Sequence, residues 1–208
     1  MLNNGNGQMS YNDFIGIEEI PYRVIEYLIT NKSDTAEDMW KALYYPDADC
    51  LKKPNLTTKQ KRNLVYDGKS SQEQDFKLFT KPLISDSLIT ADDMIQLRMF
   101  RYSTSPVERL FATILFEIDI YTSDKTSVIT KYVNKKPIPI ERTDFIETRL
   151  LNLLVGKDLG IGYNFMQFDR SLSTYSKSVT NINNSKAFYG RTFMLCLQYS
   201  SIDKGQGC

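Results

Sequence analysis

The stretch Leu110-Phe111-Ala112-Thr113-Ile114-Leu115-Phe116-Glu117-Ile118-Asp119-Ile120-Tyr121 decides how the rest of the chain is read. Leu110, Ala112, Ile114, Phe116, Ile118 and Ile120 fall on one face. Phe111, Thr113, Leu115, Glu117, Asp119 and Tyr121 fall on the other. A period of two is that of a β-strand. The first face is wholly apolar and requires a cover; the second becomes polar toward its end. Upstream, Ile95, Leu97 and Met99 alternate with Gln96 and Arg98, which predicts a half-buried strand, and Ser103 to Pro106 reads as the turn between the two. Downstream, Asp144 with Glu147 three residues on marks a helix start. Phe145, Ile146, Leu150, Leu153 and Leu154, with Arg149 among them, form the stripe, and Gly156 supplies a left-handed stop. Further strands are expected at about Gly162–Asp169 and Phe188–Tyr199. The order strand, strand, helix, strand, strand predicts an α+β fold: an antiparallel sheet of about four to five strands with a packed helix.

Between Ile17 and Asp67 the period is helical, so short N-terminal helices precede the sheet. The first spans about Glu18–Asn31, with Pro21 in its opening turn and Val24, Ile25, Leu28 and Ile29 on one face. The second begins near Ser33–Thr35, places Ala36, Met39, Trp40 and Leu43 at helical spacing, and stops before Pro46. The third opens on Thr57 with Gln60, a capping-box spacing, and runs to Val65 before Asp67 and Gly68. Three polar stretches read as connections: Gly68–Asp86, Asp124–Ile140 with an edge strand through Val128–Val133, and Ser171–Lys186. The expected organisation is a helical region and linker over residues 1–90, an α+β domain over 91–200 and a flexible tail over 201–208.

Composition narrows the function classes. Lys plus Arg number 26 against 25 Asp plus Glu, so no long-range field draws the chain to nucleic acid or an anionic membrane. No apolar run approaches the roughly 20 residues needed to span a bilayer, and Met1–Ser10 has no signal-sequence pattern. Cys50, Cys196 and Cys208 are an odd set without a CxxC pair, which argues against a disulfide framework or a thiolate metal site and fits cytosolic synthesis. Histidine is absent. That removes the Ser-His and Cys-His nucleophile pairs, HExxH zinc sites and the usual general base near neutral pH. The chain is therefore expected not to be an enzyme, with no catalytic, cofactor-binding or metal-ligating residue and no cofactor.

Several residue patterns carry a chemical and a plain reading. Glu117 and Asp119 share a strand face and could work as a carboxylate pair or hold a divalent cation, but also fit a solvated strand end. Asp47 and Asp49 begin a calcium-loop spacing that lacks the Gly and Glu completing it. Gly156, Gly160 and Gly162 follow a helix rather than a strand, the wrong order for a phosphate cradle. Lys52, Lys53, Lys59, Lys61 and Arg62 form a modest basic cluster that reads as a solvated helix face. Cys196 reads as a small core residue.

Three stretches carry a family likeness: the strand ending Leu115-Phe116-Glu117-Ile118-Asp119-Ile120, the helix Arg142–Val155 ending in Gly156, and Phe188-Tyr189-Gly190-Arg191 opening the last strand. Together they resemble the tail terminator and head-to-tail joining (neck) proteins of tailed bacteriophages. Asp38–Leu43 to Pro46, followed by Pro54–Thr57, is similar in style to an extension of some neck proteins. The resemblance implies a virion subunit, made in the host cytoplasm, that forms a homo-oligomeric ring, commonly sixfold, at the head–tail junction. Its partners would be itself, the tail tube and the connector, with DNA close by in the channel and no membrane. The candidate contact loops are then Asp124–Pro139 and Ser171–Lys186. Two rival readings remain: a two-metal nucleic-acid enzyme resting on Glu117 and Asp119, and a monomeric binding module that uses a sheet edge.

Overall fold

The computed structural model describes residues 17–69, 76–81, 93–108, 111–157, 159, 167–168, 177–180 and 188–199. After a 3-10 turn at Ile17–Glu19, helix α1 spans Ile20–Thr30 and α2 spans Asp34–Tyr44. Pro21 stands in the first turn of α1, where its missing N–H costs nothing. The Ser33 side chain caps α2 by accepting from the Ala36 N–H. Helix α3, Thr58–Asn63, opens on a complete capping box made by Thr57 and Gln60. All three helices stand where the sequence periodicity puts them, although α3 stops short of Val65.

The strands are β1 (Leu78–Phe79), β2 (Ile95–Glu108), β3 (Phe111–Ser123), β4 (Val128–Val133), β5 (Lys136–Glu141), β6 (Gln167–Phe168), β7 (Lys177–Thr180) and β8 (Phe188–Tyr199), with helix α4 (Arg142–Leu154) between β5 and β6. The main sheet runs β1-β2-β3-β8-β6, with β7 also paired to β8. The fold is α+β, as expected. Its sheet is antiparallel except for β1, which pairs parallel with Leu97 and Arg98. The predicted turn at Ser103–Pro106 is not there: β2 continues past it, paired with β3, through register shifts after Arg101 and after Pro106. Bulges absorb the proline and the polar run within an extended strand. The first connecting stretch contains β1 and the third contains β7, so neither is loop throughout. The predicted strand Gly162–Asp169 falls mostly outside the described residues, apart from β6.

Helices α1, α2 and α4 cover one face of the sheet. Ile95, Leu97, Met99, Ile114, Phe116, Ile118, Ile120, Phe193, Leu195 and Leu197 form its apolar surface, continuous with Leu28, Trp40, Leu43, Ile146 and Leu150. Trp40 is fully buried and its indole N–H donates to the Leu28 carbonyl at 3.0 Å, tying α2 to α1. Gly156 takes φ +68° and ends α4, the left-handed stop its position predicts.

Arg142, the first residue of α4, joins three parts of the chain. Its guanidinium donates to the carbonyls of Ala42, Tyr45, Pro46 and Asp47 at the end of α2, at 2.6–2.9 Å, and to that of Thr126 at 2.5 Å. The last carbonyls of a helix lack intrahelical partners and carry its partial negative charge. A fully buried Arg142 supplies what they lack without a carboxylate. The Cys50 thiol lies against the same guanidinium; burial pushes its pKa up more than Arg142 lowers it.

Candidate interaction surfaces

The second face of the sheet carries the carboxylates singled out in the sequence. Register places Gln96, Tyr121 and Gly190 in one row and Arg98, Asp119 and Thr192 in the next. Asp119 is buried, not solvated, and accepts from the Thr192 hydroxyl at 2.6 Å. Arg98, also buried, donates to the Gln96 side chain and to the Lys81 carbonyl, and lies 4.8 Å from the Phe79 ring centre. Gly190 is glycine for a steric reason: a Cβ there would stand 2.8 Å from Tyr121 Cδ1. Burial raises the pKa of Asp119, while Thr192, Tyr121 and Arg98 pull it down. Asp119 is thus held within a buried polar network, with the Arg98 guanidinium supplying the nearby positive charge.

The raised pKa fixes a sign. Native Asp119 binds its proton more tightly than the unfolded chain does, so its contribution to stability falls as pH rises from the ordinary value of 3.8 through the native value. Asp119→Asn should therefore gain on wild type between pH 3.5 and 7 in paired urea titrations. A constant difference across that range would mean that folding does not penalise the charge.

Glu117 points to a different place. With Glu18, Pro21, Tyr22, Thr80, Phe100, Arg101 and Tyr102 it lines an open groove of 640 Å³ along β2, beyond the short β1. Tyr22 is 55% exposed and Tyr102 58%. The Thr80 hydroxyl donates to the Tyr22 phenol oxygen at 3.2 Å, holding one wall.

The expected edge strand Val128–Val133 is present as β4, but the rest of Asp124–Ile140 is not loop: a short 3-10 turn, Asp124–Thr126, precedes β4, and β5 pairs with it in a two-stranded hairpin. Val133 pairs with Lys136, and Asn134 and Lys135 close the turn with φ of 51° and 66°, the signature of a type I′ hairpin. In a two-residue hairpin with this register, the N–H groups at positions 137 and 139 point away from β4. Proline can stand there without breaking the ladder, which is why Pro137 and Pro139 lie inside a strand rather than ending one. The Thr130 N–H anchors the base to the Ala48 carbonyl at 2.7 Å, and Lys52 donates to the Tyr132 hydroxyl at 2.7 Å. Beyond the base the ribbon is open on both faces, leaving Tyr132, Val133 and Ile138 exposed. Lys135 holds a left-handed conformation that costs a non-glycine residue about 1 kcal/mol. Lys135→Gly should slow hydrogen exchange of the Val133 and Lys136 amides by about fivefold; unchanged exchange would show that the turn is unstrained.

Comparison with family models matches residues 36–196, most of the chain and every strand from β1 onward up to Cys196, to the family described as YomW. The chain belongs to the YomW family. It is accordingly a phage-associated protein. No curated protein and no solved structure matches it.

The other residues singled out in this YomW-family chain do not converge on one site. Lys61 is buried and ion-paired to Glu37 at 2.6 Å, whereas Arg62 pairs with Glu26 and Lys53 with Asp47, so the basic cluster divides among separate partners. Lys61 is thus no part of a solvated helix face. Asp47 uses its carbonyl on Arg142 and its carboxylate on Lys53. Gly160 and Gly162 lie outside the described residues. Cys196 is half-buried on β8. Among the described residues no helix is long and apolar enough to cross a membrane, and no group of three or more Cys, Asp or Glu is arranged to hold a metal ion. Sequence reading missed Arg191: on β8 it faces the start of α4, 3.1–3.5 Å from Glu141, Asp144 and Glu147. The spacing of those acids on α4 was the available signal.

Proposed function

We propose that this chain is a non-catalytic structural subunit of a tailed-phage virion that forms a homo-oligomeric ring at the head–tail junction, as a tail terminator or connector-joining protein. Membership of a phage-associated family supports the setting. The observation that carries the reading is the β4–β5 hairpin: a two-stranded arm with apolar side chains exposed on both faces and prolines along its outer edge. An arm of that kind contacts a partner through its faces, because the prolines remove the donors that strand addition requires. In a ring its partners are other copies, the tail tube and the connector, close to the DNA path.

The test is to shorten the arm. Replacing Tyr132–Pro137 by Asn-Gly leaves Lys131 opposite Ile138 as the closing pair and keeps the Thr130 anchor. The shortened protein should melt within a few degrees of wild type, since it loses few buried contacts. In light scattering it should no longer form the higher-mass species of the wild type. Assembly equal to wild type would overturn the role given to the arm.

A further inference from the structure

Among the described residues, the large apolar side chains left exposed are Tyr22, Tyr102, Val128, Tyr132, Val133 and Ile138. They lie on two surfaces only. Tyr22 and Tyr102 flank the concave groove; the other four belong to the convex hairpin. Scattered single exposed apolar residues need no explanation, but two groups, one hollow and one projecting, do.

We propose that the hairpin of one copy seats in the Tyr22–Tyr102 groove of the next copy. This rests on the ring reading above and names its interface. Charge agrees with it. Between Asp124 and Glu141, the latter paired with Arg191 at the arm's base, the arm contains Lys125, Lys131, Lys135 and Lys136 and no further acidic residue, while Glu18 and Glu117 line the groove against Arg101 alone. Chemistry agrees as well. Lys131, Val133, Lys136 and Ile138 occupy one face of the ribbon by register, which sets ammonium groups beside aliphatic side chains, and the groove sets carboxylates beside Tyr22, Phe100 and Tyr102. Tyrosine faces accept both aliphatic contact and cations.

The two surfaces stand apart on each copy. The hairpin leaves the sheet where Ser123 bonds to Met94, and the groove begins at Phe100, about 20 Å further along β2 at strand rise. A chain with knob and socket on separate surfaces associates head to tail, and such contacts close into rings when the rotation allows.

A charge swap tests it. K131E/K136E turns the Lys131–Lys136 face of the arm acidic and keeps an acidic groove; E18K/E117K keeps that face basic and has a basic groove. By sedimentation velocity each alone should associate at least tenfold more weakly than wild type, and an equimolar mixture should recover to within about threefold. Circular dichroism checks that each variant is folded. If E18K/E117K is not, Tyr102→Ser changes an exposed groove side chain and should give the same tenfold loss. Undiminished association of K131E/K136E would overturn this interface and leave the ring reading standing on another surface. Loss in both variants without recovery on mixing would overturn the pairing of arm with groove. A wild type that stays at 24 kDa across the concentration range would overturn the ring reading and this interface together.

Discussion

Arg142→Ala should cost about 4 kcal/mol and lower the melting temperature by more than 8 °C in thermal denaturation. The removed guanidinium satisfies five carbonyls drawn from the end of α2 and from Thr126. The Asp47 carbonyl keeps the Cys50 N–H; among the others, each buried acceptor left unpaired costs about 1–3 kcal/mol, and water entering the space recovers part of the total. A 1 kcal/mol loss moves the midpoint of a chain this size by about 2–4 °C. Arg142→Lys separates charge from geometry. An ammonium offers three donors from one point, whereas the guanidinium offers five in a plane, so lysine should recover less than half of the loss. Recovery to wild type would mean that the positive charge at the helix end, not the fork, holds α2, α4 and the Thr126 turn together.

The second large effect concerns Lys61 and Glu37. Their 2.6 Å pair has side chains only 2% and 10% exposed. Glu37 Oε2 has no hydrogen-bond partner, so Lys61 is the compensation for a carboxylate held out of water. Lys61→Met removes it and should cost about 3–4 kcal/mol in urea denaturation. Glu37→Leu combined with Lys61→Met takes away both charges and should return to within about 1 kcal/mol of wild type, or exceed it, because a buried pair often does no better than apolar side chains of similar volume. The double-mutant cycle then shows a large coupling energy. Single losses that simply add in the double variant would show that the residues stabilise the fold independently.

Local chemistry made part of this fold readable before the structure. Ser33 and the Thr57–Gln60 box start helices through bonds three residues apart. Gly156 stops one through its own backbone, and β3 and β8 declare themselves by alternation. What escaped depends on neighbours distant in sequence. The two residues of β1 form a strand only because β2 is beside them. Asp119 looks like a surface carboxylate until register sets Arg98 on one side and Thr192 on the other. Arg142 resembles any arginine in a first helical turn; four of its five acceptors lie 95–100 residues earlier. The groove draws on four separate segments, so no local pattern could announce it. The hairpin left only half a signal. Asn134 is a residue that enters left-handed turns, but Lys135 stands where glycine is usual, and the prolines hid the second strand, since a proline terminates a strand only when its missing N–H belongs to the ladder.

The proposed ring requires self-association, which the mass of the wild-type protein in solution tests most directly. Light scattering at micromolar and at tenfold higher concentration should give a discrete species at a whole-number multiple of 24 kDa, the same at both, as a closed ring requires. A single 24 kDa species at both concentrations, or a mass that keeps growing with concentration, would contradict it.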